Sequence, residues 1–211
     1  LLATGTLNPA AICEVDFESD LTTICAGQSI SFTDISYHNV SSRTWTFDGG
    51  SPASSTSSDP IVTYNTPGVY TVSLQASDGS NSITQTKTNH IVVLSDPGEV
   101  IPYHEGFEGI TAIPDNDNWV VVDENNDDTW ELTNQAGSQG TTHSAKLGNY
   151  GNSDGSKDEL ISGTIDLSGV DPADPMVFTF DYAYRKNTSN DDEWLRFYIS
   201  NDCGETWVLR K

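Results

Sequence analysis

Short apolar stretches with polar residues at alternate positions recur along the chain, separated by clusters of Ser, Thr, Asn, Asp, Gly and Pro. Alternation with period two puts every second side chain on one face of a strand, so it marks half-buried β-structure. In residues 29–34, Ile30 and Phe32 point one way, and Trp45 and Phe47 repeat the pattern in the next strand. Val62 and Tyr64 follow, then Tyr70, Val72, Leu74 and Ala76, and finally Ile91 and Val93. Asp78-Gly79 is a turn signal between the last two strands. The order is a tryptophan-bearing strand, a Gly-rich turn, a Pro/Ser loop, a short strand and a long one. That order predicts a small antiparallel β-sandwich over residues 13–95. Trp45, alternating within a strand, reads as core; Tyr37 and His38 fall in a polar loop and are the exposed candidates for contact with a ligand.

Residues 1–12 read as an extended lead-in, and residues 96–102, with Pro97 and Gly98, as a linker. Beyond it, strands are expected to end at Phe107-Glu108 and to run over 119–122, 129–132, 144–147 and 159–162. The two strongest patterns cover 176–184 and 194–200, and a last strand begins at 207. Regular strands joined by acidic, Asn-rich loops predict a jelly-roll sandwich over 103–211. It is expected to be incomplete, because the strand at 207–209 needs a further partner. The fold class is therefore all-β, with two domains.

Charge narrows the partners. The net charge is −22, from 31 acids and 9 bases, and residues 101–211 hold 21 of the acids. Nucleic acid is excluded as a partner, because phosphate binding depends on Lys and Arg, and an anionic membrane surface is disfavoured for the same reason. No stretch approaches the roughly 18 apolar residues of a membrane span, so membrane insertion is not expected. The opening Leu1-Leu-Ala-Thr-Gly-Thr6 lacks the basic region of a signal peptide, and no Met precedes it. An internal piece of a longer precursor is expected.

Three cysteines are present. Cys13 and Cys25 bracket a short acidic segment, and a disulfide between them would stabilise the fold by about 3 kcal/mol in the chain-entropy model. The alternative is two independent thiols. Cys203 is left over, either free or paired beyond this chain. The set favours an oxidising, extracellular compartment, secreted or at the cell surface.

No catalytic constellation emerges. The histidines, His38, His90, His104 and His143, form no His-Glu-x-x-His pattern and no i, i+4 pair. No Gly-x-Ser-x-Gly elbow occurs, and the Gly-rich 148–155 carries Asn and Asp where a phosphate loop needs Lys.

Two resemblances add to this reading. Trp45-Thr-Phe47-Asp-Gly-Gly50 followed by Gly68-Val-Tyr70-Thr-Val72-Ser-Leu74 resembles the PKD (polycystic-kidney-disease-type) domain, an immunoglobulin-like sandwich of secreted bacterial hydrolases and adhesins. The family pattern Trp-Asp-Phe-Gly-Asp-Gly keeps both aromatics here but loses its first acid and shifts the second. In the other half stand Glu105-Gly-Phe-Glu108, Trp119, Asp123, Trp130, Asp158-Glu-Leu-Ile-Ser162, Phe180-Asp-Tyr182 and Ser200-Asn-Asp-Cys-Gly-Glu-Thr-Trp207. This series resembles the jelly-roll modules of Bacteroidetes secreted proteins, related to cleaved-adhesin and MAM-type domains. The lead-in, running into Cys13 and the PKD-like segment, looks like the exit of a pappalysin/cytophagalysin-type zinc metallopeptidase domain.

The resemblances imply a non-catalytic accessory region that spaces, stabilises or targets a secreted metallopeptidase whose catalytic domain lies upstream in the same precursor. The alternative is an adhesin or carbohydrate-binding module of a surface protein. Either would meet an extracellular protein or polysaccharide polymer, with Tyr37 as the candidate contact ring. The acidic loops 123–128 and 191–193 crowd carboxylates, Asn and carbonyls together, the hard oxygen donors calcium takes. In the cleaved-adhesin relatives acids corresponding to Glu108 and Glu193 sit near such a site. A structural calcium ion in the second domain is expected, held by Glu108, Asp123, Asp127, Asp128 and Glu193.

Overall fold

In the computed structural model, residues 14–37, 39–115, 118–123, 128–148, 157–184 and 194–210 are described. The chain divides into two compact units, Leu1–Val93 and Leu94–Lys211. It is all-β, with no helix among the described residues, and no helix is long and apolar enough to cross a membrane.

Unit 1 is a sandwich of two sheets. One is built from β1 (Phe17–Ser19), β3 (Ser29–Asp34), β7 (Ile61–Tyr64) and β5 (Gly50–Ser51), in the order β1-β3-β7-β5. The other holds β2 (Thr23–Cys25), β4 (Ser42–Phe47), β6 (Ser54–Ser55), β8 (Gly68–Ser77) and β9 (Ser82–Leu94), in the order β2-β9-β8-β4-β6. The alternation in sequence sets which side chains meet between the sheets. Ile30, Phe32, Val62 and Tyr64 from the first face Trp45, Phe47, Val72, Leu74, Ile91 and Val93 from the second, all buried in one cluster. Trp45 is 0% exposed. Its ring lies edge-on to Phe17 at 5.2 Å and stacks on Phe47 at 5.5 Å. The indole N–H donates to the Ser57 carbonyl at 2.8 Å, which satisfies the one polar atom such a ring brings into a core. Trp45 is thus a core residue.

Two polar groups enter this core on different terms. The Asp34 side chain is 1% exposed and pairs with the Arg43 guanidinium across the edge of the sandwich. Burial pushes this carboxyl up, but hydrogen bonds from Ser36 and then the Arg43 charge outweigh it, holding Asp34 below the ordinary carboxylate value. The Tyr64 hydroxyl has no such compensation. It is buried without a hydrogen-bond partner among the described residues, and burial first, then the Asp48 charge, pushes its ionisation up.

Unit 2 is assembled from short two-stranded ladders. β10 (Glu99–Val100) runs parallel to β15 (Ile165–Asp166). β11 (Trp119–Asp123) pairs antiparallel with β14 (Asp158–Ser162), and β12 (Trp130–Thr133) with β13 (Ser144–Leu147). β16 (Tyr198–Ile199) and β17 (Val208–Leu209) close a hairpin. Ile113, Val120, Val121 and Ile161 form its buried apolar positions.

Two expected strands are corrected. Phe107-Glu108 does not end a strand: Phe107 has φ of 60°, and Glu105 Oε1 turns back to accept its N–H. Residues 176–184 are in no ladder with other described residues, although their alternation is strong. Met176, Phe178, Phe180, Tyr182 and Tyr184 are all exposed, and Phe178 and Phe180 pack instead on Phe197 at 4.6 and 5.6 Å. Alternation fixes which side chains share a face, whereas a strand also needs a neighbour to take its backbone hydrogen bonds.

Candidate functional site

In unit 1 the Gly-rich turn after Trp45 is a packing device. Gly49 has φ of 68°, and a Cβ there would lie 2.2 Å from the Tyr70 ring. Only glycine lets Tyr70 fold over the turn, where its hydroxyl donates to the Thr66 carbonyl at 2.8 Å. Tyr37, the expected contact residue, is 65% exposed. Its position is fixed by an isolated bridge to Glu14, with the Tyr37 N–H donating to the Glu14 carbonyl at 3.0 Å. An exposed ring on a held backbone is suited to stacking against a flat apolar surface.

In unit 2 the Glu105-Gly-Phe-Glu108 segment is a clasp. Glu105 accepts from the Tyr103 hydroxyl at 3.1 Å and from the Trp119 indole at 3.3 Å, while Phe107 stacks on Trp119 at 5.2 Å. Gly106 lets the segment approach the next loop: a Cβ there would meet Thr141 Cγ2 at 2.8 Å. Glu108 then grips that loop. Its carboxylate accepts from the backbone N–H of Thr142 and, at 2.9 Å, of His143. It also accepts from the Thr142 hydroxyl at 3.1 Å and from His143 Nδ1 at 2.9 Å. These bonds, led by the Thr142 N–H and the His143 side chain, hold the Glu108 carboxyl down at about 2.

The clasp sets one wall of an open cleft of about 540 Å³. Its polar lining includes Glu131, Asn134, Gln135, His143 and Lys146. Glu131 and Lys146 are direct partners in the β12–β13 register and form an ion pair of 2.6 Å. With Nδ1 directed at Glu108, His143 has only Nε2 left for any other contact. None of these cleft residues was singled out as a ligand-contacting residue in the sequence. The signal for the pair, opposite charges at facing positions, becomes visible only once the hairpin register is known.

Three of the expected calcium ligands lie among the described residues, in different settings. Glu108 is in the clasp, Asp123 ends β11 opposite Asp158, and Asp128 is exposed. Among the described residues no three His, Cys, Asp or Glu side chains gather as a metal-holding group. Asp127 and Glu193 lie outside the described residues, as do Cys13 and His38. Cys25 is disulfide-bonded, and so is Cys203, which is therefore not a free thiol.

The family described as PKD domain matches residues 17–91. Those bounds fall within the sandwich of unit 1, which is a PKD domain. Among solved structures, the PKD1 domain of Vibrio cholerae metalloprotease PrtV is 27% identical, over 37% of this chain and 94% of that one, with a TM-score of 0.31. The PKD1 domain of Vibrio anguillarum Epp is also 27% identical, over 38% and 93%, at 0.32. A structure of carbohydrate-binding modules from the β-sandwich superfamily is 19% identical, over 63% and 51%, at 0.37. No curated protein matches the chain.

Proposed function

We propose that this chain is a non-catalytic accessory region of an extracellular protein, in which the PKD domain spaces or anchors and unit 2 supplies further binding surface. The single observation that carries this reading is the PKD match over residues 17–91. The core beneath that match is apolar except for internally paired or single polar groups, so recognition falls to surface groups such as Tyr37. The disulfide-bonded Cys25 and Cys203 fit an oxidising compartment.

The finer proposal is that the region serves a secreted zinc metallopeptidase, supported by the resemblance of residues 1–12 and of the domain order. A surface adhesin or carbohydrate-binding protein is the second reading, favoured by the polar cleft of unit 2. The coding sequence upstream of Leu1 separates them: a His-Glu-x-x-His motif supports the peptidase, and its absence the adhesin. The accessory role itself is tested by retention of the full chain on insoluble collagen, chitin and cellulose. Retention by at least one, weakened several-fold by Tyr37→Ala, is expected, since one stacked ring contributes about 1 kcal/mol. Retention that Tyr37→Ala leaves untouched removes Tyr37 from the contact surface.

A further inference from the structure

We infer that the cleft beside the Glu108 clasp is a binding site for a neutral saccharide unit. This inference rests on the reading of the chain as an accessory binding region and goes beyond it by naming residues and ligand class. Its volume, about 540 Å³, lies within the roughly 300–1,000 Å³ of small-ligand sites. The ion pair in the cleft weighs against a ligand of net charge. Glu131 and Lys146 neutralise one another at 2.6 Å, so an anion meets the carboxylate and a cation meets the ammonium, and neither gains a net field. What remains is a mixture of donors and acceptors with unused capacity. Among the described residues, the second Glu131 oxygen, His143 Nε2 and the side-chain amides of Asn134 and Gln135 make no hydrogen bond. Groups of this kind match a ligand that presents many hydroxyls, each both donor and acceptor.

The site is also held in shape. Glu108 fixes the His143 backbone and Nδ1 together, which leaves Nε2 for a ligand hydroxyl. Ile113, 8% exposed, and Leu132 add apolar wall, which suits the C–H face of a pyranose. Preorganised donors and acceptors reduce the ordering cost of binding.

The test uses the full chain, isotope-labelled, with amide signals followed during titration by cello-, xylo-, manno- and chito-oligosaccharides and, as an anionic control, oligogalacturonate. Shifts at Asn134, Gln135 and His143 are expected with at least one neutral sugar. The double variant Asn134→Ala/Gln135→Ala, both residues exposed and outside the strands, is expected to weaken that binding about tenfold. Its other amide signals should stay in place. Wild-type binding that the double variant retains in full, or shifts confined to other residues, overturns the cleft while leaving the accessory binding role standing. Binding of oligogalacturonate alone overturns the ligand class. If no sugar binds here and the full chain is retained by none of collagen, chitin or cellulose, the accessory binding role falls too; no sugar binding with retention overturns only this site.

Discussion

Arg43→Met isolates what the paired charge contributes to the PKD domain. The substitution keeps most of the apolar stem but removes the guanidinium that donates to Asp34. Asp34 stays behind with its side chain 1% exposed, still accepting from the Ser36 N–H at 2.8 Å. Breaking a fully buried pair costs about 3–5 kcal/mol, and a hydrogen bond to a charged group about 1.5–3. Because the Arg43 side chain is 28% exposed, solvent screens part of the interaction, and about 2 kcal/mol is expected at pH 7. For a domain of this size that lowers Tm by about 10 °C. The sign of the pH dependence follows from the depressed Asp34 value. A carboxyl with a lowered folded value stabilises the fold above its unfolded value, near 3.8, and loses that contribution as pH falls through the folded value. In Arg43→Met the folded value rises, so the cost of the substitution should be greatest at neutral pH and shrink toward pH 2. Urea unfolding followed by the amide signals of Phe32, Trp45 and Leu74 reports unit 1 alone. Equal costs at pH 7 and pH 2 would show that Arg43 acts through packing and refute the charge argument.

Tyr64→Phe should stabilise unit 1 by about 1 kcal/mol, since it deletes a buried hydroxyl without a partner; a lower urea midpoint in the variant would show that the hydroxyl is in fact satisfied. Glu108 should titrate near 2 by carbon-detected NMR, and its stabilising effect should be present above the unfolded value, near 4.5, and fade as pH falls toward 2. An ordinary titration midpoint there contradicts the clasp. Calcium binding in the second domain, proposed from Glu108, Asp123, Asp127, Asp128 and Glu193, should raise Tm in millimolar calcium over EDTA by mass action, and coincident melts would remove the ion.

The sandwich of unit 1 was legible because each apolar alternation coincided with a strand that found a ladder partner and a facing sheet. Trp45, Phe47, Val72 and Leu74 are placed by period alone, and β3 occupies the expected residues Ser29–Asp34. The same rule misplaced residues 176–184. Period two reports a shared face, and Phe178, Phe180 and Tyr182 do follow one another at 5.9 and 6.0 Å, but no ladder joins them to other described residues. The cleft was not legible for a related reason. Glu131 and Lys146 are 15 residues apart, and only the β12–β13 register sets them face to face.

The acids of this chain show why a charge count underdetermines chemistry. Surplus carboxylates suggest cation binding, yet many here accept backbone N–H groups in loops. Asp20 takes the N–H of Leu21 and Ser31, both at 2.9 Å. Asp78 takes those of Ser80 and Asn81, at 2.8 and 2.7 Å, and Asp115 those of Asn118 and Trp119, at 3.0 and 2.7 Å. Asp202 takes the Thr206 N–H at 2.9 Å inside the β16–β17 hairpin, and its carboxyl is held down at about 2 by Ser200 and Thr206. Short strands leave many backbone donors without ladder partners, and Asp in a turn supplies the missing acceptor. An acid used in this way is anchored by the backbone of the loop it holds, whereas a calcium ligand must converge with others on one point. Glu108 has the first geometry: its bonds run to one loop, Thr142 and His143. Recruiting it to an ion would require giving up bonds that fix the wall of the cleft, so ion binding at Glu108 and saccharide binding beside His143 should oppose one another.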